Sequence, residues 1–274
     1  MSKTQSWEVS DELWQNVQPL VPKPPPRPAR RRYQRRPGGG RKPLGDRQIF
    51  AGIVYVLRTG CQWKALPKSF GSASAIHQHF QRWRKQGFFL ALWQAGLAEY
   101  DEMEGIAWEW QSIDGTQGKA PLAQEAVGNN PTDRGKKGSK RSLLVDGAGV
   151  PLSLIVSGAN RHDVKLLAIT LDSIVVVRPK ASRRRRQNLC ADKGYAGRPA
   201  AQAMQARGYT PHVRQRGEEA RACRQGQRAR RWVVERTHSW FNRFRKLLVR
   251  YEKTAANFLA LLQCAAALIC WRMC

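Results

Sequence analysis

Acidic residues are scarce in this chain. Twenty Asp and Glu stand against 48 Lys and Arg, a formal net charge of +28 over 274 residues. Folding does not need such an excess. It adds self-repulsion and favours polyanionic partners, nucleic acid first and an anionic membrane surface second. A long apolar run is also missing. The most apolar stretch, Phe258 to Trp271, spans 14 residues and is interrupted by Gln263, whereas a bilayer span needs about 20. A buried C-terminal helix is expected there, and no membrane partner. The first residues, MSKTQSWEVSDELW, contain no apolar signal core. The six cysteines, Cys61, Cys190, Cys223, Cys264, Cys270 and Cys274, include no pair at the two-residue spacing of a zinc knuckle, and no histidine lies near the last three. Reduced, mostly buried thiols in a cytoplasmic protein are therefore expected. No internal repeat is present.

What is present can build a core. Apolar residues make up 42% of the chain and include ten Trp, eight Phe and six Tyr. The length suits two modest domains. Ser10 to Pro19 predicts a short helix, with Ser10 as cap and Leu13, Val17 and Leu20 on one face. The Pro-rich run Pro22 to Pro28 stops it, and Arg30 to Lys42, with Gly38–Gly40, reads as a basic loop, either an arm that contacts phosphate or a merely solvated charge run. A stronger helix is expected from Asp46 to Thr59, ended by Gly60. A second opens at Ser74 with Ile76, Phe80 and Trp83 inward and Gln78, Gln81, Arg82 and Lys85 outward, and a third spans Phe88 to Tyr100. Short helices with a basic, Gln-rich outer face resemble a helix-turn-helix module, because Gln and Arg can read base edges. A solvated face of an ordinary bundle carries the same pattern. Residues 1–104 are thus expected to be a small all-α domain with a basic Pro/Gly-rich loop at about 22–43.

After Glu104 the pattern changes. Trp108 to Asp114 reads as a strand and Lys119 to Ser139 as a polar loop. Arg141–Val145 and Val150–Ser157 flank Asp146-Gly147-Ala148-Gly149, a hairpin signal. His162–Ser173 predicts a helix, Ile174–Val177 and Asn188–Ala191 short strands about the basic loop Lys180–Arg186, Pro199–Arg207 a helix and Tyr209–Val213 a strand. Arg221–Arg231 is a second basic stretch, followed by helices at Arg230–Leu248 and Ala255–Met273. The order predicts an α/β fold for residues 105–274, a mixed sheet covered by helices.

Three aspartates end apolar runs and precede a nearby glycine: Asp114, Asp146 and Asp192. An acid at a strand end is rigidly placed and faces a cleft, and the glycine permits close approach. Asp146 is explained by its Asp-Gly turn. Asp114 and Asp192 lack that explanation, though either can be a plain turn residue. Glu235 lies on a polar helical stripe with Arg231, His238, Ser239 and Asn242, opposite the apolar Val233, Trp240, Phe244 and Leu248; it can equally be a solvated partner of Arg231. Magnesium is one reason for a very basic protein to gather three carboxylates, since it prefers hard oxygen ligands and leaves room for phosphate oxygens. Asp163 can cap the following helix, but its role stays open, as do those of His162 and His238.

These residues carry a resemblance. The segment Ile53 to Trp63 with Leu66-Pro67, then Ser112-Ile113-Asp114-Gly115-Thr116, Asn130 to Lys136, Gly158 to Asp163, Ala191-Asp192-Lys193-Gly194-Tyr195, and Arg231 to Phe241 with Arg243 to Leu247 resemble, in order and over nearly the whole chain, transposases of the insertion sequence 5 family. That resemblance implies a DDE transposase with a ribonuclease-H-like core. Asp114 would lie on its first strand, Asp192 near its fourth and Glu235 on a helix, all three catalytic and metal-binding, with Mg2+ as cofactor and Mn2+ able to substitute. It also implies double-stranded DNA as partner, both terminal inverted repeats and target, a homo-oligomer on DNA, and a cytoplasmic, nucleoid-associated location. Arg82, Lys85, Arg231, Arg236, Arg243 and Lys246 are the expected DNA contacts. A broader signature in related transposases places Tyr and Lys where this chain has Arg228 and Asn242, so only the three acids carry over. The alternatives are a silent DNA-binding protein on the same scaffold and a ribonuclease-H-like nuclease.

Overall fold

A computed structural model describes residues 5, 7–23, 43–213 and 230–274. Most of the Pro-rich run, the basic loop Arg30–Lys42, and the stretch Arg221–Arg231 up to residue 229 lie outside the described residues. The chain forms two compact units, Met1–Phe88 and Phe89–Cys274.

In the first unit, α1 (Asp11–Val17) begins where the Ser10 hydroxyl accepts from the Leu13 N–H, 3.1 Å away. Helix α2 (Asp46–Thr59) buries Ile49, Phe50, Ile53, Val54 and Leu57 on one side and ends at Gly60, whose φ of 75° closes the last turn. Helix α3 (Ala73–Lys85) buries Ile76, Phe80 and Trp83. Two 3-10 turns, Trp63–Ala65 and Lys68–Phe70, separate α2 from α3. That link is longer than the three- or four-residue turn of a helix-turn-helix, so the unit is helical with a different corner. On α3, Gln81 and Arg82 bond the rings of His77 and His79 one turn back, which leaves Gln78 and Lys85 as the exposed members of the predicted outer face.

Helix α4 (Phe88–Met103) leads to the sheet of the second unit. Its strands are β1 (Trp110–Lys119), β2 (Gly128–Asn129), β3 (Lys137–Val145), β4 (Pro151–Gly158), β5 (Asn188–Ala191) and β6 (Thr210–Val213). The order runs β4-β3-β1-β5-β6, with the two-residue β2 extending the β4 edge of β3. Strand β3 is antiparallel to β1 and to β4, while β5 and β6 run parallel to β1. An antiparallel meander continued by two parallel strands is the ribonuclease-H-like sheet expected from the sequence. Helices α5 (Asp163–Asp172) and α6 (Arg198–Gln205) cover one face; α7 (Trp232–Asn242) and α8 (Ala255–Met273) cover the other.

Helix α8 is long and apolar enough to cross a membrane by length and composition. Eleven of its residues, from Phe258 to Cys270, are buried in the unit instead, and Gly96 of α4 sits against Ala267 and Cys270. Three expectations are corrected. Ile174–Val177 forms no strand; Val175 only donates its N–H to Leu152 O. Strand β3 begins at Lys137, inside the predicted polar loop, because its polar residues pair with β1. The helix predicted over Arg230–Leu248 stops at Asn242. Phe244 turns extended and Arg245–Leu247 form a 3-10 turn. A continued helix would carry Lys246 on its outer side; the turn brings it inside, 3.5 Å from Glu252.

Candidate active site

Strand register brings the two aspartates together. The parallel pairing of β1 and β5 ends at Ile113 opposite Ala191. Asp114 is the next residue on one strand and Asp192 the next after the other. Strand β1 itself does not end at Asp114, as its apolar run suggested. It continues to Lys119, paired with β3 as far as Gly138. Asp114 is thus the point where β1 loses one neighbour and keeps the other, which opens one edge beside a rigid backbone. Both acids are fixed by the glycines that follow. Gly115 N–H donates to Asp114 Oδ1 and Gly194 N–H to Asp192 Oδ1, each at 2.8 Å.

Helix α7 lies over the face of β1 that carries Asp114. The Ser112 hydroxyl donates to Arg230 O just before the helix. Thr237 donates to Gly149 O at 2.7 Å, and Arg236 to Ala148 O, clamping the helix to the β3–β4 turn. Asp146 builds that turn. It is fully buried and accepts from the N–H groups of Ala107, Ala148 and Val150 and from the Tyr100 hydroxyl. Its role as a turn residue is confirmed, and burial raises its pKa against those donors. Glu235 projects from the exposed side of α7, its Oε1 3.0 Å from Arg231 Nε.

Charge ties the group together. Burial pushes the Asp114 carboxyl up to about 6, the negative charges of Asp192, Asp163 and Glu235 push the same way, and the Gly115 N–H opposes them. His162, not Asp163, occupies the cap position of α5, and Asp163 is the first helical residue. Its Oδ1 lies 3.0 Å from Nζ of the buried Lys140, which also donates to Arg161 O. A side chain at residue 115 would collide with that carboxylate. One signal was visible in the sequence: Asp163 closes one of the family signatures.

His238 is corrected from the polar stripe to the buried face, with Val233, Val234, Thr237 and Phe241. Its Nε2 lies 3.8 Å from Asp114 Oδ2. Burial, then the neighbouring Arg141 charge, lowers its pKa to about 3, so it is neutral near pH 7. Trp240 is only partly covered and Leu248 is exposed, so the predicted apolar stripe is rotated. Among the predicted DNA contacts, Lys85 and Arg243 are exposed, Arg82 bonds His79, Arg231 pairs with Glu235, and Arg236 lies over the rings of Trp232 and Trp240. Lys246 is buried beside Glu252. Asn242 Oδ1 accepts from Arg141 Nη2 at 2.8 Å.

The donor set suits a hard cation. Asp114, Asp192, Asp163 and Glu235 offer only carboxylate oxygens, and the Asp114 pKa, raised mainly by burial and further by the other three carboxylates, marks a charge that a cation would stabilise. Among the described residues no three His, Cys, Asp or Glu side chains already converge on one point; Glu235 is turned to Arg231.

Such a sheet, an antiparallel meander continued by two parallel strands and covered by helices, is of the ribonuclease-H-like class. Comparison gives the family. Residues 103–270 match the family described as "Transposase DDE domain", and residues 9–93 match "Putative transposase of IS4/5 family". The chain belongs to these DDE transposases of the IS4/5 type. It is 38% identical over 147 residues, 53% of this chain and 68% of the relative, to the Burkholderia cepacia "Putative transposase for insertion sequence element IS402". It is 30% identical over 125 residues, 45% of this chain and 80% of the relative, to the "Insertion element IS402 uncharacterized 16.2 kDa protein" of the same organism. Among solved structures, a pre-cleavage Mos1 transpososome shares 9% identity at a TM-score of 0.29, over 87% of this chain and 81% of that one.

Proposed function

We propose that this transposase cleaves DNA at the ends of its own insertion element and joins the freed ends to target DNA, using Asp114, Asp192 and Glu235 as catalytic, metal-holding acids. The observation that carries this is the register: the end of the β1–β5 pairing sets Asp114 beside Asp192, under the helix that carries Glu235. Magnesium, or manganese in its place, supplies activation of the attacking oxygen and stabilisation of the leaving one. The strands hold Asp114 and Asp192 in fixed positions. Arg231, released from Glu235, is placed to meet phosphate charge, and the exposed Arg243 and Lys85 and the basic loop Arg183–Arg186 hold the backbone.

In the first reaction a water oxygen bonds to phosphorus, and the bond to the 3′ oxygen of the element end breaks, leaving a 3′-hydroxyl and a 5′-phosphate. In the second, that hydroxyl loses its proton and bonds to a target phosphorus, displacing the target's 3′ oxygen. The partner is double-stranded DNA, both inverted repeats and target. Handling two ends together calls for more than one copy of the chain, working on DNA in the nucleoid.

The test incubates the full chain with duplexes carrying the element's terminal sequences and magnesium. Cleavage and joining by the wild type, lost in Asp114→Asn, support the reading; near-normal activity in that variant would sink it. Binding without cleavage would leave a silent DNA-binding protein, and cutting without joining a nuclease.

A further inference from the structure

Arg141 is a buried cation with no carboxylate partner among the described residues. It stands on β3, only 5% exposed, opposite Thr116 of β1. Its Nη2 donates to Asn242 Oδ1 at 2.8 Å and to His238 O at 3.3 Å, both neutral acceptors. The Phe241 ring lies 5.5 Å from its guanidinium carbon. Its Nε has no hydrogen-bond partner, and among the described residues no Asp or Glu lies within ion-pair distance of it. Burial alone draws its pKa down to about 10. Two other cations nearby are already engaged. Arg250 donates to the carbonyls of Ala126, Glu252 and Lys253 and to Ser139 Oγ, with Glu125 and Glu252 close by. Lys119 lies 4.0 Å from Asp133. A buried guanidinium without a counter-charge is costly, and its unused donor suits an oxyanion.

Space for that anion exists. A pocket of about 170 Å3 is lined by Thr116, Gln117, Lys119, Arg141, Asn242 and Arg250, among others, and Asn242 at its rim is exposed. Thr116 is two residues beyond Asp114 on the same face of β1, an advance of roughly 6.6 Å along the strand. With its Oδ1 turned to Arg141, the Asn242 amide keeps Nδ2 as a donor.

We propose that this pocket is a phosphodiester subsite, in which Arg141 and Asn242 hold the backbone phosphate next to the one attacked at Asp114. The inference rests on DNA being the substrate, but its test does not need catalysis. The charge that steadies the strand then comes from β3 and reaches α7 through an amide, so the helix that carries Glu235 and the strand beside Asp114 both grip the same phosphate.

The full chain is melted without divalent metal in rising inorganic phosphate. The wild type should gain about 3 °C at tenfold its Kd, and Arg141→Gln should lose that gain. Asn242→Asp guards against a folding failure in Arg141→Gln. It gives Arg141 an internal carboxylate, so it should melt higher without phosphate and no longer respond to it. A second arm separates a phosphate within a strand from free or terminal phosphate. In duplexes of the element end, each phosphate in turn is replaced by a neutral methylphosphonate. Wild-type affinity should fall about tenfold at one internal position, and Asn242→Asp should bind that duplex and the unmodified one alike. Phosphate responses in both variants equal to the wild type's, or no sensitive internal position, overturn the subsite. A wild type that fails to cleave in magnesium yet keeps an Arg141-dependent phosphate response counts against the transposition chemistry alone.

Discussion

Gly115 and Asp163 occupy one space: the hydrogen in place of a side chain at residue 115 is what lets the Asp163 carboxylate come against β1 beside Asp114. The first steps of β1 beyond its pairing with β5, the start of α5 and the buried Lys140 therefore meet at a single glycine. Gly115→Ala should push Asp163 off Lys140 and distort the strand. We expect a loss of about 1–3 kcal/mol of stability and of most cleavage activity, seen by thermal melting and strand-cleavage assay. An alanine variant with wild-type activity would mean that Asp163 need not approach.

Asp114 gives a pH prediction with a definite sign. Its folded pKa, about 6, lies above the ordinary carboxylate value of 3.8. The folded state therefore keeps a proton that the unfolded state releases. The associated stability is full below about 3.8 and lost as pH rises through about 6. The ionised carboxyl then costs the metal-free protein about 3 kcal/mol near pH 7.5. Asp114→Asn should melt higher than wild type at pH 7.5, nearly equal at pH 4, and show no stabilisation by magnesium. A variant that melts lower at pH 7.5 contradicts this.

Glu235 separates function from stability. Its contact with Arg231 is a half-exposed pair one turn apart on a helix, worth only a few tenths of a kcal/mol. Glu235→Gln should fold and melt as wild type yet lose cleavage by at least about 100-fold, as expected for a group that holds the catalytic charge. Cleavage within a few fold of wild type would remove Glu235 from the site.

Asp146 should behave in the opposite way. Its side chain satisfies three N–H groups and the Tyr100 hydroxyl inside the turn that also anchors Thr237 and Arg236. Asp146→Ala strands those buried donors, at about 3 kcal/mol or more. Denaturant unfolding should show this directly. Any activity lost should return in proportion to folded protein at lower temperature, because the acid touches no site residue.

Much of this was legible in the residues themselves. Apolar spacing and local signals placed α2 from Asp46 to Thr59, its end at Gly60, the Asp146 turn and β5 up to Ala191, because each depends on short-range periodicity and on the φ freedom of glycine. The order of elements sufficed for a mixed α/β sheet covered by helices, and the resemblance made that sheet ribonuclease-H-like. The resemblance singled out Asp114, Asp192 and Glu235 from twenty acids, where pattern alone left each open. Tertiary structure decided what depends on neighbours distant in sequence. Strand pairing carried β1 past Asp114 through residues too polar to read as a strand. The choice of face turned His238 inward, and the break after Asn242 took Lys246 out of solvent. The packing of β3 beside β1 and under α7 left Arg141 buried without a carboxylate among the described residues, and the start of α5 brought Asp163 to Gly115. Local sequence sets which backbone shapes are cheap; which side chains share one low-dielectric space is set only when the sheet closes and its helices cover it.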